Sequence, residues 1–190
     1  MVIGDKQLFA IELTVLGFLD DETPVGLFFF WIDGERLGNP EDDAYMRGCI
    51  SWLRGFYEDP GDRCEPELFD MELSQAYREL RKAMEGPLEE SMDGRFGNIF
   101  SRFYIEHIGM SSFDDIQIAL IEGNSMEQRF VWWSNPPDEH SPREAYVPKG
   151  EFRKRAEETL EWFMSKRYWK GSMVSREAKI KDSQSGDTSR

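Results

Sequence analysis

Residues 26–39, GLFFFWIDGERLGN, constrain this chain more than any other stretch of it. Phe28, Phe29, Phe30 and Trp31 stand side by side. Successive side chains of a strand point to opposite faces, so Leu27, Phe29 and Trp31 share one face and Phe28, Phe30 and Ile32 the other. A strand with one wet face alternates apolar and polar residues. This one does not, so both of its faces need cover. It therefore belongs in the middle of a sheet packed on both sides, with helices on one face and a loop, a further helix or a second subunit on the other. The aromatic run is either core, where rings dominate burial, or the wall of a binding site. Asp33-Gly34 ends the strand with the dipeptide that a type I′ hairpin turn demands, and ERLGN is the return strand.

The other segments arrange themselves around that hairpin. Residues 8–16, LFAIELTVL, alternate with Phe9, Ile11, Leu13 and Val15 on one face and read as a half-buried strand. Residues 39–59 read as a helix: Asn39 caps it, Pro40 takes the first position, and three acids follow in the first turn. Tyr45, Cys49, Trp52, Leu53 and Phe56 would form its apolar stripe. Residues 67–73 read as extended, 74–86 as a second helix, 87–98 as a loop and 99–109 as a strand. Residues 114–123 and 128–134 form an antiparallel pair through a turn at Gly123-Asn124-Ser125, with Ile116, Ile118 and Leu120 inward. A polar, proline-rich loop precedes a third helix over 147–169. The expected fold is α+β, a mostly antiparallel sheet of five to six strands with three helices. It divides into one domain over residues 1–169 and a basic polar tail over 170–190, expected to be disordered because it has little apolar surface and no period.

Charge narrows the partners. The net charge is −14, and the last 25 residues carry seven Lys/Arg against three Asp/Glu. The body before them therefore carries −18. Such a body repels nucleic acid and anionic membrane surfaces and attracts basic partners. No apolar run approaches the ~20 residues of a membrane helix, and the N-terminus lacks the pattern of a signal peptide, so a cytoplasmic location is expected. Cys49 and Cys64 have no companion ligands and read as two reduced thiols, with a disulfide the alternative.

The sequence offers little for catalysis. It has no nucleophile elbow, phosphate loop, dinucleotide fingerprint or zinc or calcium spacing. No catalytic residue, metal site or cofactor is assigned. His107, with a carboxylate beside it, and His140, in the proline-rich loop, are the residues an unrecognised enzyme would need. The acids are more informative. With Asp33-Gly34 at the hairpin centre, Ile32 pairs with Glu35, Phe30 with Leu37 and Phe28 with Asn39, and Gly26 lies beside Glu41. Asp20, Asp21 and Glu22 then share one end of the sheet with Glu41, Asp42 and Asp43. These six carboxylates form a surface for a basic partner, or else the second triplet complements a helix N-terminus and the first is solvated.

VIGDKQLFAIEL, GLFFFWIDGERLGN and the series ALIEG, RFVWWS and VPKGEF occur in that order. In this the chain resembles the immunity protein family numbered 42 of bacterial polymorphic toxin systems, from about Val2 to the third helix. The resemblance implies a small cytoplasmic protein, without enzymatic activity or cofactor, that binds and neutralises a cognate toxin by stoichiometric occlusion. An acidic binder suits a basic toxin domain, because it steers toward that domain and mimics the phosphate chain of nucleic acid. An adaptor or chaperone-like module of a secretion system is the alternative reading, and an enzyme using His107 or His140 a further one. Deleting residues 170–190 should leave the thermal unfolding transition in place, since that segment has too little apolar surface to offset its ordering entropy. A large fall in the midpoint would show that it docks on the body.

Overall fold

The Asp33-Gly34 turn forms as its chemistry requires, with φ of 50° at Asp33 and 79° at Gly34. In the computed structural model, which describes residues 1–19, 23–58, 62–85, 96, 99–105, 111–134 and 142–166, this turn joins β3 (Pro24–Ile32) to β4 (Glu35–Leu37). Ile32 faces Glu35 and Phe30 faces Leu37, the register read from the sequence. On its other side β3 pairs antiparallel with β2 (Phe9–Phe18), and β2 with β1 (Val2–Asp5). Further along, β3 also pairs with β5 (Ala44–Tyr45), completing a five-stranded sheet. A separate three-stranded antiparallel sheet holds β6 (Ile116–Glu122), β7 (Glu127–Ser134) and β8 (Arg143–Pro148) in that order. The helices are α1 (Met46–Glu58), α2 (Pro66–Asp70), α3 (Leu73–Glu85), α4 (Ile99–Phe103) and α5 (Glu151–Ser165).

The α+β class stands, but the strands divide between two sheets, and several local readings are overturned. The stretch read as a strand from residue 99 is helical over Ile99–Phe103. Ile99 and Phe103, four apart and both buried, mark one helix face. Tyr104 forms an isolated bridge to Ala119, and the Ile105 backbone N–H donates to the Ile118 carbonyl at 3.0 Å; residues 106–109 of that stretch lie outside the described residues. The extended reading of 67–73 fails because Pro66 opens a short helix. Residues 147–148 end a strand rather than begin a helix. The outward Glu144 and Tyr146 alternate with buried Ala145 and Val147, a signal that the adjoining helical pattern hid. The tail over 170–190 lies outside the described residues.

One core serves both sheets. Phe9, Ile11, Leu13, Phe28, Phe30 and Ile32 of the first sheet share it with Ile118, Leu120, Phe130 and Trp132 of the second, and with Leu53 of α1 and Phe152 of α5. The reverse face of the second sheet carries a smaller core, where Ala119, Ile121, Val131 and Trp133 meet α2, α3 and α4. Arg129 lies fully buried on that face. Its Nη1 donates to the carbonyls of Leu68, Phe69 and Met71 at 3.3, 2.9 and 2.7 Å, and its Nε to Glu144 at 2.8 Å. It thus satisfies the open carbonyls at the end of α2 and fixes that helix to β7.

The sheet with a full layer on each side is therefore the second one, not the sheet that holds the aromatic run. Phe28 and Phe30 are buried in the shared core, as expected. The outer face of β3 is covered by cations instead. Arg36 lies 4.8 Å over the ring of Phe29, which is buried, and Lys6 lies 3.9 Å over Trp31, which is half-buried. Glu12 joins Lys6 to Trp31, accepting hydrogen bonds of 2.9 Å and 2.6 Å.

Replacing Phe30 by alanine should cost about 3–5 kcal/mol, the range for a large ring removed from a core. Guanidinium unfolding measures it, and an unchanged midpoint would contradict the assignment. Burial pushes the Glu12 carboxyl up, but the hydrogen bonds from Lys6 and Trp31 and the Lys6 charge outweigh it and hold the group below its ordinary value. Its contribution is therefore fully present above the unfolded value, about 4.3, and is lost as the pH falls through the lowered one. Glu12→Gln should be less stable than wild type at neutral pH and should lose less stability on acidification, read from urea unfolding across that range.

Candidate functional site

The end of the five-stranded sheet opposite the Asp33-Gly34 turn collects the candidate residues, but not in the register read from the sequence. After Leu37 the chain leaves β3. Gly38 adopts a φ of 120°, and a Cβ there would stand 3.0 Å from the Phe29 ring. The Asn39 backbone N–H then donates to the Ser112 carbonyl at 2.7 Å. When the chain returns, Gly26 faces Ala44 and Val25 faces Tyr45, so neither the Phe28–Asn39 pair nor the alignment of Gly26 with Glu41 exists. Three residues have been looped out of the hairpin.

That loop carries Glu41, Asp42 and Asp43. Asn39 organises it: its Oδ1 accepts from the Glu41 backbone N–H at 3.0 Å, and its Nδ2 donates to Asp42 at 2.8 Å. Asn39 caps no helix, because α1 begins only at Met46, beyond β5, and has no acid in its first turn. Glu41 and Asp43 are exposed, and Asp42 is half-buried. The second triplet therefore does not complement a helix N-terminus. Asp20, Asp21 and Glu22 lie outside the described residues. Their flanks are described: Leu19 donates to the Thr23 carbonyl at 3.0 Å, and Phe18 pairs with Pro24, next along β3 to the Val25 that faces Tyr45.

The sequence reading missed the apolar side chains at this same end. Leu16 is 60% exposed, Phe18 51%, Leu19 64% and Tyr45 58%. A bulge between Val15 and Gly17 breaks the alternation of β2 and turns Leu16 out of register. In the sequence, VLGFL shows only that alternation stops. Elsewhere the chemistry is spare. No cluster of metal-ligating side chains occurs among the described residues, and His107 and His140 lie outside them. Both cysteines are free, and burial pushes the Cys49 thiol up to about 12, which leaves it inert. No described helix is long and apolar enough to cross a membrane.

The exposed apolar side chains and the acidic loop thus occupy one end of the five-stranded sheet. The chain belongs to the Immunity protein 42 family, whose sequence model matches residues 1–162, and it is accordingly an immunity protein that binds and neutralises a cognate toxin. Its fold is shared with the crystal structure of CdiI from Burkholderia dolosa AUO158, at a TM-score of 0.65 and 17% identity over 85% of this chain and 99% of that one. No curated protein matches it in sequence.

Asn39→Ala should free the acidic loop while leaving the core intact. Hydrogen exchange at the Glu41 amide should accelerate about five- to tenfold, in keeping with the loss of about 1 kcal/mol for one hydrogen bond. Unchanged exchange would mean that the loop is held by other contacts.

Proposed function

We propose that the chain neutralises its toxin by occlusion, and that the end of the five-stranded sheet is the docking surface. Leu16, Phe18, Leu19 and Tyr45 form its apolar centre. Asp20, Asp21, Glu22, Glu41, Asp42 and Asp43 form its rim. The observation that carries this reading is the concentration of four large apolar side chains, each more than half exposed, beside an acidic loop with no helix to complement. The expected partner face is basic, because the chain carries −14 overall. Binding is stoichiometric, without turnover or cofactor, and takes place in the cytoplasm, with residues 1–169 acting as one domain.

The two parts of the surface have different work. Rim charges act at a distance and raise the encounter rate, and salt screens them. Buried apolar anchors slow dissociation. A six-fold variant with the rim acids changed to Asn or Gln should therefore associate more slowly at low salt, with the difference shrinking at high salt. Phe18→Ala with Tyr45→Ala should instead speed dissociation about thirtyfold or more, the signature of a lost hot spot of about 2 kcal/mol. Both are read by surface plasmon resonance against the cognate toxin, beside a growth-protection assay. If both variants fold, bind with wild-type rates and still protect, the interface lies elsewhere on the molecule.

A further inference from the structure

Beside the docking surface, one edge of the five-stranded sheet is left half covered. β1 flanks β2 only along its first half. Val2 faces Glu12, and Met1 and Leu13 exchange hydrogen bonds in both directions at 2.9 Å. β2 runs on to Phe18 and stays paired with β3 on its other side as far as Pro24. Among the described residues, no strand continues the line of β1 past Met1.

The direction of the backbone groups decides what that edge offers. Along an antiparallel strand, successive residues turn their N–H and C=O to alternate sides. Leu13 turns both toward Met1. Val15, two residues on, therefore turns both the same way, into the space that β1 has left. On the other side Val15 faces Gly26, at a position where antiparallel strands exchange no hydrogen bond. Its N–H and C=O thus have no partner among the described residues. An open strand edge is a template for a further extended chain, because only another backbone meets donor and acceptor together. Met1, Val2, Leu16 and Phe18 stand exposed around this one. Met1 and Val2 are successive residues beside β2, so they offer apolar contact on opposite faces of the sheet.

We infer that the toxin docks by strand addition: an extended segment of it lies antiparallel to β2, in line with β1, bonded to the Val15 backbone and packed against Met1, Val2, Leu16 and Phe18. The inference rests on the docking surface proposed above and says how that surface is read. The segment is basic, with apolar side chains at alternate positions, because the exposed Glu41 and Asp43 share this end of the sheet. A second copy of the chain fits worse, since it would bring its own acidic loop and a further −14 of charge to the same place.

Amide hydrogen exchange of the full chain, read by NMR alone and with equimolar toxin, tests this. Alone, Val15 should exchange at least about tenfold faster than Leu13, which is bonded to Met1; with toxin, Val15 should slow about tenfold or more. Slow exchange at Val15 in the free chain would overturn the proposal, because a second copy or another part of the chain would then hold the edge. Val15→Pro removes only a donor that points away from β3, as edge strands tolerate. It should keep the melting temperature within a few degrees and weaken toxin binding about fivefold or more. If that variant unfolds, the exchange rates of the wild-type chain decide alone. Unchanged exchange at Val15 on binding overturns strand addition. If Phe18→Ala with Tyr45→Ala still speeds dissociation in that case, the docking surface stands without it; if those substitutions also change nothing, the docking surface falls as well.

Discussion

Phe9 is the contact on which the architecture rests. Its ring stacks on Phe130 at 5.2 Å and meets Phe152 at 5.3 Å and Phe30 at 6.0 Å. One residue thus joins the five-stranded sheet, the three-stranded sheet and α5. Neither sheet could bury its apolar face alone, and two small sheets with no shared filling would leave two marginal cores. The ring-rich composition, 14% aromatic, is what allows a single cluster to fill the space between elements so different in direction. At the hairpin end Glu35 reinforces the union, receiving Trp132 Nε1 at 3.2 Å and pairing with Arg143.

That shared core sorts the acids into two populations. Glu12, Glu35, Glu144 and Glu151 each hold a cation, and with it a piece of structure. Glu144 is the clearest case, because its partner Arg129 is wholly buried and also holds the end of α2. Removing one member of such a group strands the other. Glu41 and Asp43 have no such task and remain exposed at the end of the sheet. These charges are thus left where the core does not need them. On the proposed docking surface, single exposed charges would add little to affinity, and the apolar side chains beside them would supply the hold.

How far the sequence could be read varies with the range of the determining contacts. The Asp33-Gly34 turn and the first pairs of its hairpin were legible because the dihedral demand is local. The helix over Leu73–Glu85 and the pairing of β6 with β7 were legible because their periods are clear. The position of Glu41, Asp42 and Asp43 at the end of the sheet was legible only in outline. Counting onward from the turn placed Glu41 beside Gly26, whereas Ala44 takes that position, because Gly38 and the Asn39–Ser112 hydrogen bond divert the chain. Ser112 is far away in sequence, and no local pattern announces it. The exposed Leu16, Phe18, Leu19 and Tyr45 were invisible for a related reason: an apolar residue in a strand declares its preference for burial, not whether anything arrives to bury it.

The sequence by itself therefore determined the elements whose cause is local: the turn, the apolar periods, the acidity and the family to which the chain belongs. The tertiary structure decided how those elements are covered. It divided the strands between two sheets, placed helices on both sides of the second, and left Lys6 and Arg36 to shield the outer face of the aromatic strand. Both orderings bury apolar area, and the hydrophobic effect has no direction of its own. The choice between them falls to specific contacts, such as the Phe9 stack and the Arg129 hydrogen bonds, made by residues that lie far apart along the chain.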